Sequence, residues 1–139
     1  MLAEVKTLQR TEKNTITLVI DSDTGTRYIR KELCGPHPIY AQLQALSHLC
    51  LPKIFHVEET RTGVVLIEGF IDGANLAEIT LPEKQVMVLM EELCEALVFL
   101  HDQGILHRDI KPSNLLLAAD GHIRLIDFDA AREEKPSSD

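Results

Sequence analysis

No run of apolar residues in this chain approaches the ~20 that a membrane-spanning helix needs. The start, MLAEVKTLQR, lacks the long apolar core of a secretory signal. Cytoplasmic residence without membrane association is the expectation. Positive charge is also short: 14 Lys and Arg stand against 22 Asp and Glu, for a formal net charge of −8. That balance argues against nucleic acid as a partner, because little here would release counterions from a phosphate backbone. It still allows a nucleotide, which needs only one or two local cations. Cys34, Cys50 and Cys94 are few, odd in number and widely spaced, and no CxxC pair is present. The six histidines show neither HExxH nor a ligand spacing with the cysteines, which argues against a structural zinc site. Reduced and mostly buried thiols are expected. Internal repeats and low-complexity segments are absent as well.

What is present is an ordinary globular composition, 45% hydrophobic and 26% charged, over a length that suits one domain with its own core. Three strand candidates come first, EVKTL, TITLVI and RYIRKEL, and the turn-rich DSDTGT separates the last two. IYAQLQALSHL carries apolar residues at 39, 43, 46 and 49, the period of a short helix. KIFHVEE and VVLIEGF, joined by TRTG, read as a hairpin. From Thr80 the pattern changes: Thr80 and Glu83 have the spacing of a capping box, with Pro82 in the first turn. Val86, Leu89, Met90, Leu93, Leu97 and Leu100 then mark a long amphipathic helix ending near Gly104. NLLLA, ADGH and IRLIDF predict a third hairpin, and the tail REEKPSSD predicts no element. The fold class is α+β: a small antiparallel sheet with one helix over 1–69, a connector over 70–75, and a helix-led portion over 76–139.

One stretch stands apart. GILHRDIKPSNLLL, residues 104–117, packs His, Arg, Asp, Lys and Asn between two apolar runs. HRDIKPSN fits the pattern H-R-D-L-x-x-x-N, with Ile110 in the Leu position. In this the chain resembles a eukaryotic-type protein kinase. Lys111, in KPSN, resembles the serine/threonine class, and LIEGFIDGANLAEI and HIRLIDFDAAR are similar to small bacterial members. Lys111 also argues against a small-molecule kinase of the aminoglycoside or choline type. The resemblance implies ATP and Mg²⁺ as cofactors and a protein Ser/Thr hydroxyl as acceptor. Asp109 would orient that hydroxyl, Lys111 would neutralise charge on the migrating phosphoryl group, and Asn114 would hold Mg²⁺. His107 and Arg108 would serve the structure of the loop. Asp127, in LIDFD, matches the metal-binding Asp of D-F-G, and an Asp with an Asn suits a hard cation. RYIRKEL resembles the strand carrying the ATP-binding lysine, which implies Lys31 on the α- and β-phosphates and Ile29 against the adenine. Arg30 would point away. VVLIEGFIDG resembles the strand lining the adenine pocket, with Ile67 as gatekeeper and the main chain of Glu68 and Phe70 on the adenine edge.

Three features depart from the family pattern. QRTEKNT, between the first two strands, holds no glycine; Asp129 replaces the glycine of D-F-G; and the short helix offers Ile39, Ala41 and Gln42 where a lysine-pairing Glu is expected. These departures suit a pseudokinase-like module that binds ATP or a partner. The A-P-E element and the helices after it do not appear before Asp139, so the resemblance covers the front part of a kinase domain. Apolar surface on the long helix and the LLL strand is then expected to lack its cover and to favour self-association or a partner.

Overall fold

Strands build most of the first part of the chain, as seen in a computed structural model that describes residues 1–134. Two compact units emerge: Met1–Leu46 with Lys53–Phe70, and Ser47–Pro52 with the chain from Ile71 onward.

The first unit is a five-stranded antiparallel sheet in the order β1-β2-β3-β5-β4. Its strands are β1 (Leu2–Arg10), β2 (Asn14–Asp21), β3 (Arg27–Cys34), β4 (Ile54–Glu59) and β5 (Gly63–Gly69). The β1–β2 turn is tight, because the Thr11 hydroxyl accepts the N–H groups of Lys13 and Asn14 at 3.3 and 3.0 Å. Gly63 opens β5 where a Cβ would lie 1.8 Å from the Leu33 carbonyl oxygen, so only glycine fits that crossing. Leu33, Ile39, Tyr40, Leu43, Ile54, Val64 and Leu66 are buried here.

The single helix of this unit, α1 (Ile39–Gln44), is shorter than the expected 39–49. Ile39, Tyr40 and Leu43 are buried, but Leu49 is exposed. The side chain of His48 explains the stop: its Nδ1 accepts the Cys50 N–H at 3.1 Å, closing a turn that competes with helix. The Cys50 carbonyl then accepts the Leu125 N–H at 2.8 Å, which ties Ser47–Pro52 into the second unit.

In the second unit, α2 (Glu83–Asp102) buries Leu89, Leu93, Ala96 and Leu100. Each buried leucine contributes roughly 1.5–3 kcal/mol relative to an exposed one. Val86, Met87, Val88 and Val98 stay exposed, so the inward stripe begins one turn later than the sequence period suggests. Pro82, not Thr80, is the N-cap, and no side chain caps the helix start. Extended backbone at Pro82 (ψ 145°) puts Thr80 outside the first turn, so no capping box forms. Gly104, at φ 74°, takes the left-handed position just past the helix end.

Beyond α2 come β7 (Ile105–Leu106), β8 (Leu115–Ala118), β9 (Ile123–Leu125) and β10 (Arg132–Glu133). β8 and β9 form the expected hairpin, and a short strand missed in the connector, β6 (Gly73–Asn75), pairs with the other edge of β8. Part of the tail also forms an element: β10 pairs with β7, and the Glu134 N–H donates to the Gly104 carbonyl at 2.7 Å. Residues 135–139 of the tail lie outside the described residues. The thiols are free, but only Cys50 is buried, and Cys34 and Cys94 are exposed. Among the described residues no helix is long and apolar enough to cross a membrane.

Candidate active site

A dense polar network in the second unit begins at the end of β7. His107 is 2% exposed. Its Nε2 lies 2.9 Å from the Ile126 carbonyl oxygen and its Nδ1 3.1 Å from the Asp109 backbone nitrogen. A carbonyl can only accept and an amide N–H can only donate, so the proton sits on Nε2 and Nδ1 is bare. The ring also meets the buried Phe128 edge-on, with centroids 4.7 Å apart. One imidazole thus ties the loop at 107–109 to the segment after β9.

Arg108 turns the chain with φ 73°, a left-handed conformation that few non-glycine residues adopt. That turn brings the Asp109 N–H to His107 Nδ1. Asn114, at the end of a short 3-10 turn (Pro112–Asn114), is also buried. Its amide nitrogen donates to the Asp109 carbonyl at 2.9 Å and to Asp109 Oδ2 at 3.0 Å. Lys111 Nζ stands 3.7 Å from Asp109 Oδ1, and both side chains are partly solvent-exposed. The loop therefore brings Asp109, Lys111 and Asn114 together.

Asp127 joins them through the backbone. The Ile126 N–H donates to the Asn114 carbonyl at 3.0 Å, so Asp127 follows directly on a residue bonded to Asn114. Asp127 itself has φ 59°, and its Oδ1 accepts the Asp129 N–H at 3.2 Å. Two left-handed non-glycine residues within one network store strain of order 1–3 kcal/mol each, and the surrounding bonds hold it.

Among the described residues no group of three or more His, Cys, Asp or Glu is placed to hold a metal. The donor set at this network is different in kind. With its amide nitrogen bonded to Asp109, Asn114 keeps Oδ1 as its remaining ligand atom, and Asp127 brings a carboxylate. One carboxylate and one amide oxygen fit Mg²⁺, a hard cation that keeps several of its waters.

The nucleotide-side candidates lie on the sheet of the first unit. The register pairs Lys31 with Leu66 and Ile29 with Glu68. Residues opposite one another in an antiparallel pair share a face, so Lys31, Ile29, Leu66 and Glu68 lie on one side. Arg30 pairs with Ile67 on the other side, where the Arg30 guanidinium forms an ion pair with Glu4. Ile67 borders a surface hollow there with Tyr28, Phe55 and His56. Ile67, read from the sequence as the gatekeeper, thus lies on the face opposite Ile29 and Lys31, and Glu68 lies on theirs. Phe70 follows β5, and its ring carries the Arg27 guanidinium 4.2 Å from its centroid.

Lys31 has a partner that the sequence reading did not supply. Its ammonium stands 3.7 Å from Glu68 Oε1 and 5.8 Å from the centre of the Tyr40 ring. The available signal was the spacing of Lys31 and Glu68 on adjacent strands.

The protein kinase domain family matches residues 37–139. Sperm motility kinase 2B of Mus musculus is 31% identical over 123 residues, covering 83% of this chain and 25% of the relative. Serine/threonine-protein kinase PknB of Mycobacterium leprae (strain TN) is 27% identical over 126 residues, 79% of this chain and 20% of that protein. Serine/threonine-protein kinase DCLK3 of Mus musculus is 35% identical over 99 residues, 65% and 12% respectively. The chain spans a quarter or less of the length of these relatives.

Proposed function

Because the chain belongs to the protein kinase family, we propose that it takes part in ATP- and Mg²⁺-dependent transfer of a phosphoryl group to serine or threonine hydroxyls of protein substrates. The observation that carries this reading is the single hydrogen-bonded network linking His107, Asp109, Asn114 and the segment at Ile126–Asp127. Phosphoryl transfer needs positioning and charge compensation more than covalent help, and this network is built for positioning.

Asp109 accepts the hydrogen bond of the acceptor hydroxyl through its carboxylate, while Asn114 holds that carboxylate in one rotamer. Lys111, beside Asp109, offers its ammonium to the phosphoryl group in flight. Asn114, through Oδ1, and Asp127, through its carboxylate, would hold Mg²⁺, which would neutralise charge on the phosphate oxygens. On the other unit, Lys31 takes the α- and β-phosphates, Ile29 packs against the adenine, and the main chain at Glu68 and Phe70 meets its edge.

Serine/threonine specificity is supported by Lys111 and by two of the relatives above being serine/threonine-protein kinases. The test is incubation of the purified protein with γ-labelled ATP, Mg²⁺ and a generic protein substrate, followed by phosphoamino-acid analysis. Label on serine or threonine that vanishes with chelator supports the proposal; no label, under conditions where a known kinase works, refutes it. The glycine-free β1–β2 turn, closed by the Thr11 hydroxyl, favours a second reading. In that reading the chain is a pseudokinase-like module that binds ATP or a partner without turnover, and nucleotide binding with no transfer is its signature.

A further inference from the structure

Lys31 poses a problem that the family pattern does not solve in this chain. The helix residues Ile39, Ala41 and Gln42 carry no carboxylate. Yet the Lys31 side chain is only 8% exposed, and an ammonium taken from water without a partner is strongly disfavoured. It is also the one Lys, Arg, Asp or Glu among the buried described residues.

The sheet supplies the answer. Glu68 sits diagonal to Lys31 across the β3–β5 ladder, displaced by two residues along β5 and therefore on the same face. Its side chain is 14% exposed, and its Oε1 is 3.7 Å from Lys31 Nζ. The ring of Tyr40, fully buried on α1, gives the ammonium a second, weaker electrostatic contact. A strand places a side chain more firmly than a six-residue helix does, because both of its neighbours fix its register.

We infer that Glu68 is the positioning residue for Lys31: the carboxylate that holds the phosphate-binding ammonium comes from the neighbouring strand instead of from α1. The inference rests on the phosphotransfer reading above for what Lys31 binds. Its physical content, the Lys31–Glu68 pair, stands without nucleotide. Exchanging the carboxylate for an amide leaves the shape of the side chain and removes the charge that orients Lys31.

Calorimetric titration with MgADP tests it on the unsubstituted protein, Glu68→Gln, Lys31→Met and the double variant, each first checked for fold by circular dichroism. Glu68→Gln and Lys31→Met are each expected to weaken binding roughly tenfold, and the double variant to lose no more than about threefold beyond Lys31→Met, because partners in one unit do not add. Glu68→Asp, which keeps the charge on a shorter arm, is expected to fall between, at about threefold. A second readout needs no nucleotide: the ¹³Cε resonance of Lys31, assigned by its loss in Lys31→Met, shifts in Glu68→Gln and lies between the two in Glu68→Asp.

Binding by Glu68→Gln as tight as or tighter than the unsubstituted protein overturns the inference, as do losses that simply add. If Glu68→Gln does not fold, unchanged binding and an unmoved resonance in Glu68→Asp overturn it, and a shift in both supports it. If the unsubstituted protein binds no MgADP, the phosphotransfer reading fails, and the Lys31 resonance alone decides whether the pair exists.

Discussion

Replacing His107 by alanine removes three things at once, and the size of each can be worked from its contacts. The Ile126 carbonyl loses its donor at 2.9 Å, and because that bond is part-buried the cost lies toward the low end of the about 1–3 kcal/mol of an unpaired buried acceptor. The Asp109 N–H loses its acceptor at 3.1 Å, but it is only part-buried, so water replaces some of that bond and about 1 kcal/mol remains. The edge-to-face contact with Phe128 adds about 0.5–1.5 kcal/mol, and some cavity cost accompanies it. The total is about 3–5 kcal/mol. With a urea m-value of about 1–3 kcal/mol per molar, the unfolding midpoint falls by 1 M or more. His107→Phe separates the terms: it restores an aromatic neighbour for Phe128 but neither hydrogen bond, so the larger part of the loss persists. Urea unfolding of both variants measures this, and hydrogen exchange at the Asp109 amide reports the second bond directly. A loss under 1 kcal/mol for His107→Ala, or a His107→Phe variant as stable as the original, would refute the claim that this imidazole ties the loop to the segment after β9.

Two further outcomes follow from the same structure. The exposed thiols of Cys34 and Cys94 should react with a colorimetric disulfide reagent at once, and Cys50 only on unfolding. Burial, with Glu92 adding to it, raises the Cys50 thiol above its ordinary range, so its thiolate is scarce as well as hidden. Fast reaction of all three would contradict the packing of Cys50. Asp120 accepts the His122 N–H at 3.0 Å and pairs with Arg124, which holds its carboxyl below the ordinary value of 3.8. A carboxylate with a lowered folded pKa stabilises above that ordinary value, and the stabilisation is lost as pH falls through the lowered one. Asp120→Asn should therefore melt below the unsubstituted protein at pH 6, with the gap closing below about pH 4. A gap that stays constant on acidification counts against the assignment.

How much of this was legible in the sequence depended on whether the signal was local. β2 and β3, the β4–β5 hairpin and α2 announce themselves because their periods of 2 and 3.6 come from residues within one element. HRDIKPSN was legible for the same reason: its residues contact one another within eight positions. β6 was not, because its three residues pair with Leu116–Ala118 about forty positions later, and its side chains carry no alternation. Gly73 gives the only hint, since a Cβ there would lie 2.6 Å from the Leu117 carbonyl oxygen. The facing of Ile67 and Glu68 was not legible because VVLIEG is almost continuously apolar, and such a run fits either face. Register against β3 decides it, and register is a property of two strands. The end of α1 turned on His48 bonding its own backbone, a choice between helix and turn that apolar spacing does not record.

Under the proposed phosphotransfer, Asp109 orients the acceptor hydroxyl for attack on ATP. Asp109→Asn tests it most directly, because an amide oxygen at that position can still accept the Asn114 N–H and keep the loop in place. The measurement is the rate of phosphate transfer from MgATP to a protein substrate, with MgADP affinity determined on the same sample. The rate is expected to fall by about 10²–10⁴, the usual contribution of a positioned acid–base group, with affinity changed less than about threefold. Transfer at an unchanged rate by the folded Asp109→Asn protein would contradict it.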